Sequence, residues 1–89
     1  MSEPRSLRVL VGRQSYAMKT FSAAYEEMSR LLRIMDRVTV RYNADPTPLR
    51  KFAVEVALLN AVNACQAYED KEKELIAART DIKNFVAYR

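Results

Sequence analysis

The stretch NADPTP, residues 43–48, decides the fold because it interrupts two long segments that otherwise keep a helical pattern. Pro46 and Pro48 each disfavour helical backbone in the residue that precedes them, and Asn and Asp are turn formers. Thr47 is placed to cap a following helix, with Pro48 in the first turn, where a missing N–H costs nothing. The stretch therefore predicts a tight turn between two arms of nearly equal length.

The arm before the turn carries a seven-residue pattern of apolar side chains. Three positions in seven are mostly apolar over about five heptads, a face wider than the seam of a two-stranded coiled coil. Leu7 to Val11 also fits a strand, since Val9 and Val11 are β-branched, but this segment keeps the phase of the heptads that follow. We therefore predict a helix over about 6–43. The three sets are Leu7, Gln14, Phe21, Met28, Met35 and Tyr42; Leu10, Ala17, Ala24, Leu31 and Val38; and Val11, Met18, Tyr25, Leu32 and Thr39.

The arm after the turn changes character along its length. FAVEVALLNAVNACQAY, residues 52–68, is apolar on most of a helix circumference, and EDKEKE, residues 69–74, has no apolar side chain. Beyond it an amphipathic stripe resumes. A single heptad phase runs through the whole arm and predicts one helix over about 48–87. Its members are Val54, Ala61, Tyr68, Leu75 and Ile82.

These patterns predict an all-α protein, a single helical-hairpin domain of two long antiparallel helices that assembles into a bundle with a second chain. The first helix covers one side of residues 52–68, and two helices alone enclose no interior. A homodimer is the favoured arrangement, and a different helical protein is the open alternative. The candidate interface residues are Phe52, Val54, Leu58, Leu59, Val62, Cys65, Tyr68, Phe21, Met28, Leu32 and Met35.

Composition limits the chemistry that we expect. The chain has no histidine and one cysteine, Cys65, and it has no glycine-rich phosphate loop. We therefore expect no enzyme activity, no metal or other cofactor and no small-molecule substrate. The single cysteine fits a reducing compartment, and residues 1–13 lack a signal-peptide pattern. No apolar run reaches the ~18 residues of a membrane span. The expected location is the cytoplasm.

The charges are unevenly distributed. Before the turn, arginines recur at three- and four-residue spacing and predict a basic stripe along one side of the first helix. One arginine and one lysine after the turn extend this stripe. The planar guanidinium group of arginine suits two-point contact with phosphate or carboxylate. The residues are Arg30, Arg33, Arg37, Arg41, Arg50 and Lys51. In a hairpin, the acidic stretch 69–74 lies opposite residues 16–21, away from that stripe. Two subunits, or a subunit and a helical partner, can align these opposite charges.

The functional expectation is a non-enzymatic interaction module, a scaffold, adaptor or chaperone-like subunit that self-associates or packs with a helical partner. The alternative is a dimeric helical bundle that binds RNA or DNA through the arginine stripe, since phosphate contacts add up to unspecific affinity. Salt dependence separates the two, because phosphate binding weakens steeply with salt and an apolar interface does not.

Overall fold

The computed structural model describes residues 6–87 and consists of two long helices, α1 (Leu7–Ala44) and α2 (Pro48–Ala87). The helices run antiparallel and are joined by residues 45–47. The hairpin that the sequence predicts is confirmed, and its helix limits lie within one residue of the predicted ones. Leu7 to Val11 is helical, so the strand alternative does not form.

The helix ends are capped by the residues that flank them. The Thr47 hydroxyl accepts a hydrogen bond from the Arg50 backbone N–H at 3.1 Å, which confirms its predicted capping role. Ser6 does the same for α1, since its hydroxyl accepts from the Val9 N–H at 3.3 Å. At the far end of α1, the Asp45 N–H donates to the Arg41 carbonyl at 3.1 Å.

Packing between the helices follows the predicted heptads. Phe21 and Tyr68 meet with ring centroids 5.0 Å apart, and Tyr25 lies 5.9 Å from the same Tyr68 ring. The most deeply buried positions are mainly alanines, which let the two backbones approach closely. They are Leu10, Ala17, Ala57, Ala61, Ala64 and Leu75.

The resulting interior is small. Within residues 6–87, no side chain larger than leucine is buried, and no large side chain is fully enclosed. The molecule measures 64 × 20 × 16 Å and has a radius of gyration of 19.7 Å. A compact domain of this length would have a radius of about 12 Å. The hairpin is therefore a rod whose two helices cover one side of each other.

Candidate interaction surface

The structure divides the predicted interface residues into three groups. Those on the heptad phase between the helices are half-buried within the chain: Val54, Tyr68, Phe21, Met28 and Met35. Leu32 and Cys65 are also half-buried, at the edge of that contact. The remaining four are exposed: Phe52 by 61%, Leu58 by 51%, Leu59 by 61% and Val62 by 56%. Of the third group, Leu58 and Val62 lie beside Cys65, whereas Phe52 and Leu59 lie on the side of α2 that is turned away from α1.

Helix α2 carries a second stripe beside the one that contacts α1. The inner stripe faces α1 and includes Val54, Ala57, Ala61 and Ala64. The second stripe consists of the residues that each follow an inner residue by one position, so it has the same alternation of three- and four-residue steps. Because one residue rotates a helix by about 100°, the second stripe faces sideways from the helix pair. We call these residues the α2 side stripe: Lys51, Glu55, Leu58, Val62, Cys65 and Glu69. Its centre is apolar, Lys51 and Glu55 stand at one end, and Glu69 stands at the other.

Helix α1 contributes a matching α1 side stripe on the same side of the hairpin. Its large apolar members Met18 and Tyr25 are exposed, and Leu32 is half-buried. Serines stand between them at heptad spacing, and their small side chains leave room for another helix. The stripe comprises Val11, Ser15, Met18, Ser22, Tyr25, Ser29 and Leu32. The two side stripes together form what we call the apolar flank.

The opposite flank is polar. Arg13 of α1 and Asp81 of α2 form an ion pair across it at 3.6 Å, with both side chains about half exposed. Its large apolar member is Ile34, and the others are small or polar. They are Arg13, Thr20, Glu27 and Arg41 of α1 and Ala53, Asn60, Ala67, Glu74 and Asp81 of α2. The hairpin is thus amphipathic across its two flanks, in addition to the contact between its helices.

Two of the six predicted basic-stripe residues have partners inside the chain. The Arg30 guanidinium pairs with Glu27 on the same helix, and its Nε donates to Glu27 Oε2 at 3.1 Å. This hydrogen bond lowers the pKa of Glu27 and raises that of Arg30. Arg50 Nη1 pairs with Asp45 Oδ2 at 3.1 Å and donates to the Asp45 carbonyl at 3.2 Å. Arg50 therefore holds the turn together.

The other four basic residues are available to a partner. Arg33, Arg37 and Arg41 lie along one exposed side of α1, beside a shallow depression that Asp36 and Val40 also line. Within residues 6–87, none of these arginine side chains forms an ion pair, and neither does Lys51. Lys51 belongs to the α2 side stripe, so it lies on another side of the molecule from the three arginines.

The acidic stretch 69–74 is exposed except for half-buried Lys71. Two local contacts use part of its charge: Lys71 pairs with Glu74 at 3.3 Å, and Gln66 Nε2 donates to Asp70 at 3.2 Å. Glu69 and Glu72 have no such contact within the described residues. Glu69 ends the α2 side stripe, which places a free carboxylate at the opposite end from Lys51.

Sequence reasoning missed the separation of the two stripes of α2 and the role of Arg50. The separation of the stripes had a signal in the sequence, because apolar residues also occupy the positions that follow the inner heptad positions: Leu58, Val62 and Cys65. The second had a weaker one, an acidic and a basic residue on either side of the proline turn. The described residues contain no cluster of His, Cys, Asp and Glu able to hold a metal ion. Neither helix, over residues 6–87, is long and apolar enough to cross a membrane.

No known protein family matches the chain, and no curated protein or solved structure is significantly similar to it.

Proposed function

We propose that this chain is a non-enzymatic protein–protein interaction module that self-associates or packs with a helical partner through its apolar flank. It would act as a scaffold, adaptor or chaperone-like subunit in the cytoplasm. The observation that carries the proposal is the apolar flank itself: Tyr25 is 52% exposed and lies on the same side as Leu58 and Val62. Contiguous exposed apolar surface of this kind marks an interaction site in a folded protein.

The exposed area supports the same proposal. The chain exposes 6997 Å², whereas a compact folded protein of 10.3 kDa exposes about 5,400 Å². The excess of about 1,600 Å² exceeds the ~800 Å² that each partner contributes to a standard protein–protein interface. A second helical layer over the apolar flank would cover much of it. The apolar members of the flank, once buried, would supply the core that the hairpin lacks.

Sedimentation equilibrium over a wide concentration range, with circular dichroism on the same samples, tests the proposal. A helical dimer or tetramer supports it, and so does a poorly helical monomer that gains helix when a partner protein binds. A highly helical monomer that stays monomeric and heat-stable at all concentrations contradicts it, because such a hairpin needs no cover.

A second candidate function is a dimeric helical bundle that binds RNA or DNA. Arg33, Arg37 and Arg41 support it, since their guanidinium groups follow one side of α1 without ion pairs in the described part of the chain. Guanidinium groups suit two-point contact with phosphate. Binding to a mixed-sequence duplex should weaken steeply between low and moderate salt and should fall further in Arg33→Glu/Arg37→Glu. Lys19→Glu, an exposed reversal on the same helix, is the control. If the arginine double variant and the Lys19→Glu control bind the duplex with equal affinity, the arginine stripe is not the binding surface.

A further inference from the structure

We propose that the apolar flank is covered by a second copy of this chain in antiparallel orientation, with α2 against α2 and the twofold axis between Leu58 and Val62, at the level of residue 60. The inference rests on the proposed function and specifies its partner and geometry. In this arrangement the apolar flanks of the two hairpins pack against each other, and the two turns lie toward opposite ends of a four-helix bundle.

The α2 side stripe supports a second copy because it is self-complementary in one register. When two α2 helices pack antiparallel through this stripe, with the axis at the level of residue 60, Leu58 of each copy lies against Val62 of the other. The same register brings Lys51 of each copy beside Glu69 of the other. Both residues are exposed and have no ion-pair partner within residues 6–87. The twofold axis thus creates two apolar contacts at the centre and two opposite-charge contacts at the rim, and it places Glu55 of each copy against Cys65 of the other.

The α1 side stripe fits the same axis. In the hairpin, the position level with Asn60 on α2 is Ser29 on α1, as the Phe21–Tyr68 contact indicates. Rotation about that point places Ser29 of one copy beside Ser29 of the other, and these small side chains let the two α1 helices approach.

Charge argues against the alternative in which both turns lie at the same end of the bundle. That arrangement would collect the arginines and lysine around both turns, Arg33, Arg37, Arg41, Arg50 and Lys51, at one end of the assembly. Like charges placed together across an interface oppose association. The antiparallel arrangement separates the two basic ends.

Charge reversal across the interface is the first test. Lys51→Glu and Glu69→Lys should each weaken the dimer on the order of tenfold, because each change replaces two attractive pairs with two repulsive ones. The double variant Lys51→Glu/Glu69→Lys should recover most of the wild-type dissociation constant. The matched controls are Lys19→Glu and Glu26→Lys, which reverse exposed charges on the outer side of α1 and should leave the constant unchanged.

A distance measurement is the second test. With Cys65→Ser and Asn43→Cys, one spin label per chain reports the separation of the two turns by pulsed electron paramagnetic resonance. The antiparallel dimer should give about 40 Å, from a rise of 1.5 Å per residue. Turns at the same end should give about 20 Å or less, since neighbouring helices lie 8–10 Å apart. Sedimentation must first show that Cys65→Ser associates like the wild type.

The outcomes of these experiments distinguish the antiparallel dimer from the more general proposal of an interaction module. A dimer with a short turn-to-turn distance contradicts the antiparallel arrangement, and so does a dimer whose dissociation constant is unchanged in both Lys51→Glu and Glu69→Lys. Neither result contradicts the interaction module. A poorly helical monomer that folds with a different protein overturns the second copy and likewise leaves the module. A stable helical monomer overturns both.

Discussion

Arg50 links the two helices at the scale of a single side chain. It belongs to the first turn of α2, and its guanidinium reaches back to the Arg41 carbonyl at 3.4 Å and to Asp45. The Arg41 carbonyl already accepts from the Asp45 N–H, so Arg50 adds a second hydrogen bond to that oxygen, and a cation at this end also interacts favourably with the helix dipole. Arg50 therefore stabilises the end of α1 from the start of α2.

Arg50→Ala should lower the free energy of unfolding by about 1 kcal/mol, a value discounted because the side chain is partly exposed. Urea denaturation followed by circular dichroism measures the change. Arg37→Ala, at an exposed arginine of α1, is the control and should change stability by less than half as much. Equal losses in the two variants would show that Arg50 has no capping role.

Glu27 and Arg30 give a prediction that depends on pH. The hydrogen bond from Arg30 lowers the pKa of Glu27 in the folded chain. Its contribution to stability is therefore present above the ordinary Glu pKa and is lost as pH falls through the lowered value. Titration by nuclear magnetic resonance should find the pKa of Glu27 below the ordinary range of a glutamate, and Arg30→Gln should return it to that range. A Glu27 pKa that ignores the substitution would contradict the pairing.

At the scale of the helix, alanine determines how closely α1 and α2 approach. Ala57, Ala61 and Ala64 fall on the inner stripe of α2, and Ala61 is 2% exposed. Small residues at a helix–helix contact bring the backbones near, but they bury little apolar area. The hairpin thus has well-defined geometry and limited stability of its own, which makes α2 dependent on its second stripe.

Ala61→Leu should lower the free energy of unfolding by about 1–3 kcal/mol, because the larger side chain has no space between the helices. Ala67→Leu, the same change at an exposed position of the same helix, should be nearly neutral. Thermal unfolding of both variants at one concentration measures the difference. If both variants unfold alike, the helices do not pack as closely at Ala61 as the structure describes.

The heptads and the NADPTP stretch were sufficient to predict both helices, their limits and the capping by Thr47. Helical periodicity and proline geometry act locally, so they can be read from sequence alone. The sequence did not separate the roles of Val54 and Leu58, although both lie in the same apolar segment. That difference depends on which stripe of α2 packs against α1, and the two stripes are only one residue apart in sequence. The partners of Arg30 and Arg50 likewise depend on side-chain positions that the pattern does not specify.

At the scale of the whole molecule, stability and association are coupled. If the apolar flank is covered by a second copy, the melting temperature should rise with protein concentration, as mass action requires of any complex that binds only the folded state. The same rise should be reduced in Val62→Lys, which places a charge at the centre of the α2 side stripe.

The measurement is a series of thermal unfolding curves over at least a hundredfold range of concentration. Lys19→Arg, which keeps the charge on an outer surface of α1, serves as the matched variant and should follow the wild type. A melting temperature independent of concentration in all three proteins would rule out self-association as the source of stability.

The position of the turn has a consequence for whatever is attached to the chain. Because a hairpin returns on itself, residues 6 and 87 lie at the same end of the rod. In the antiparallel dimer the two copies would carry these ends outward in opposite directions, about 80 Å apart at 1.5 Å per residue. The assembly would then work as a spacer of defined length, with paired attachment points at each tip and arginine-rich sides between them.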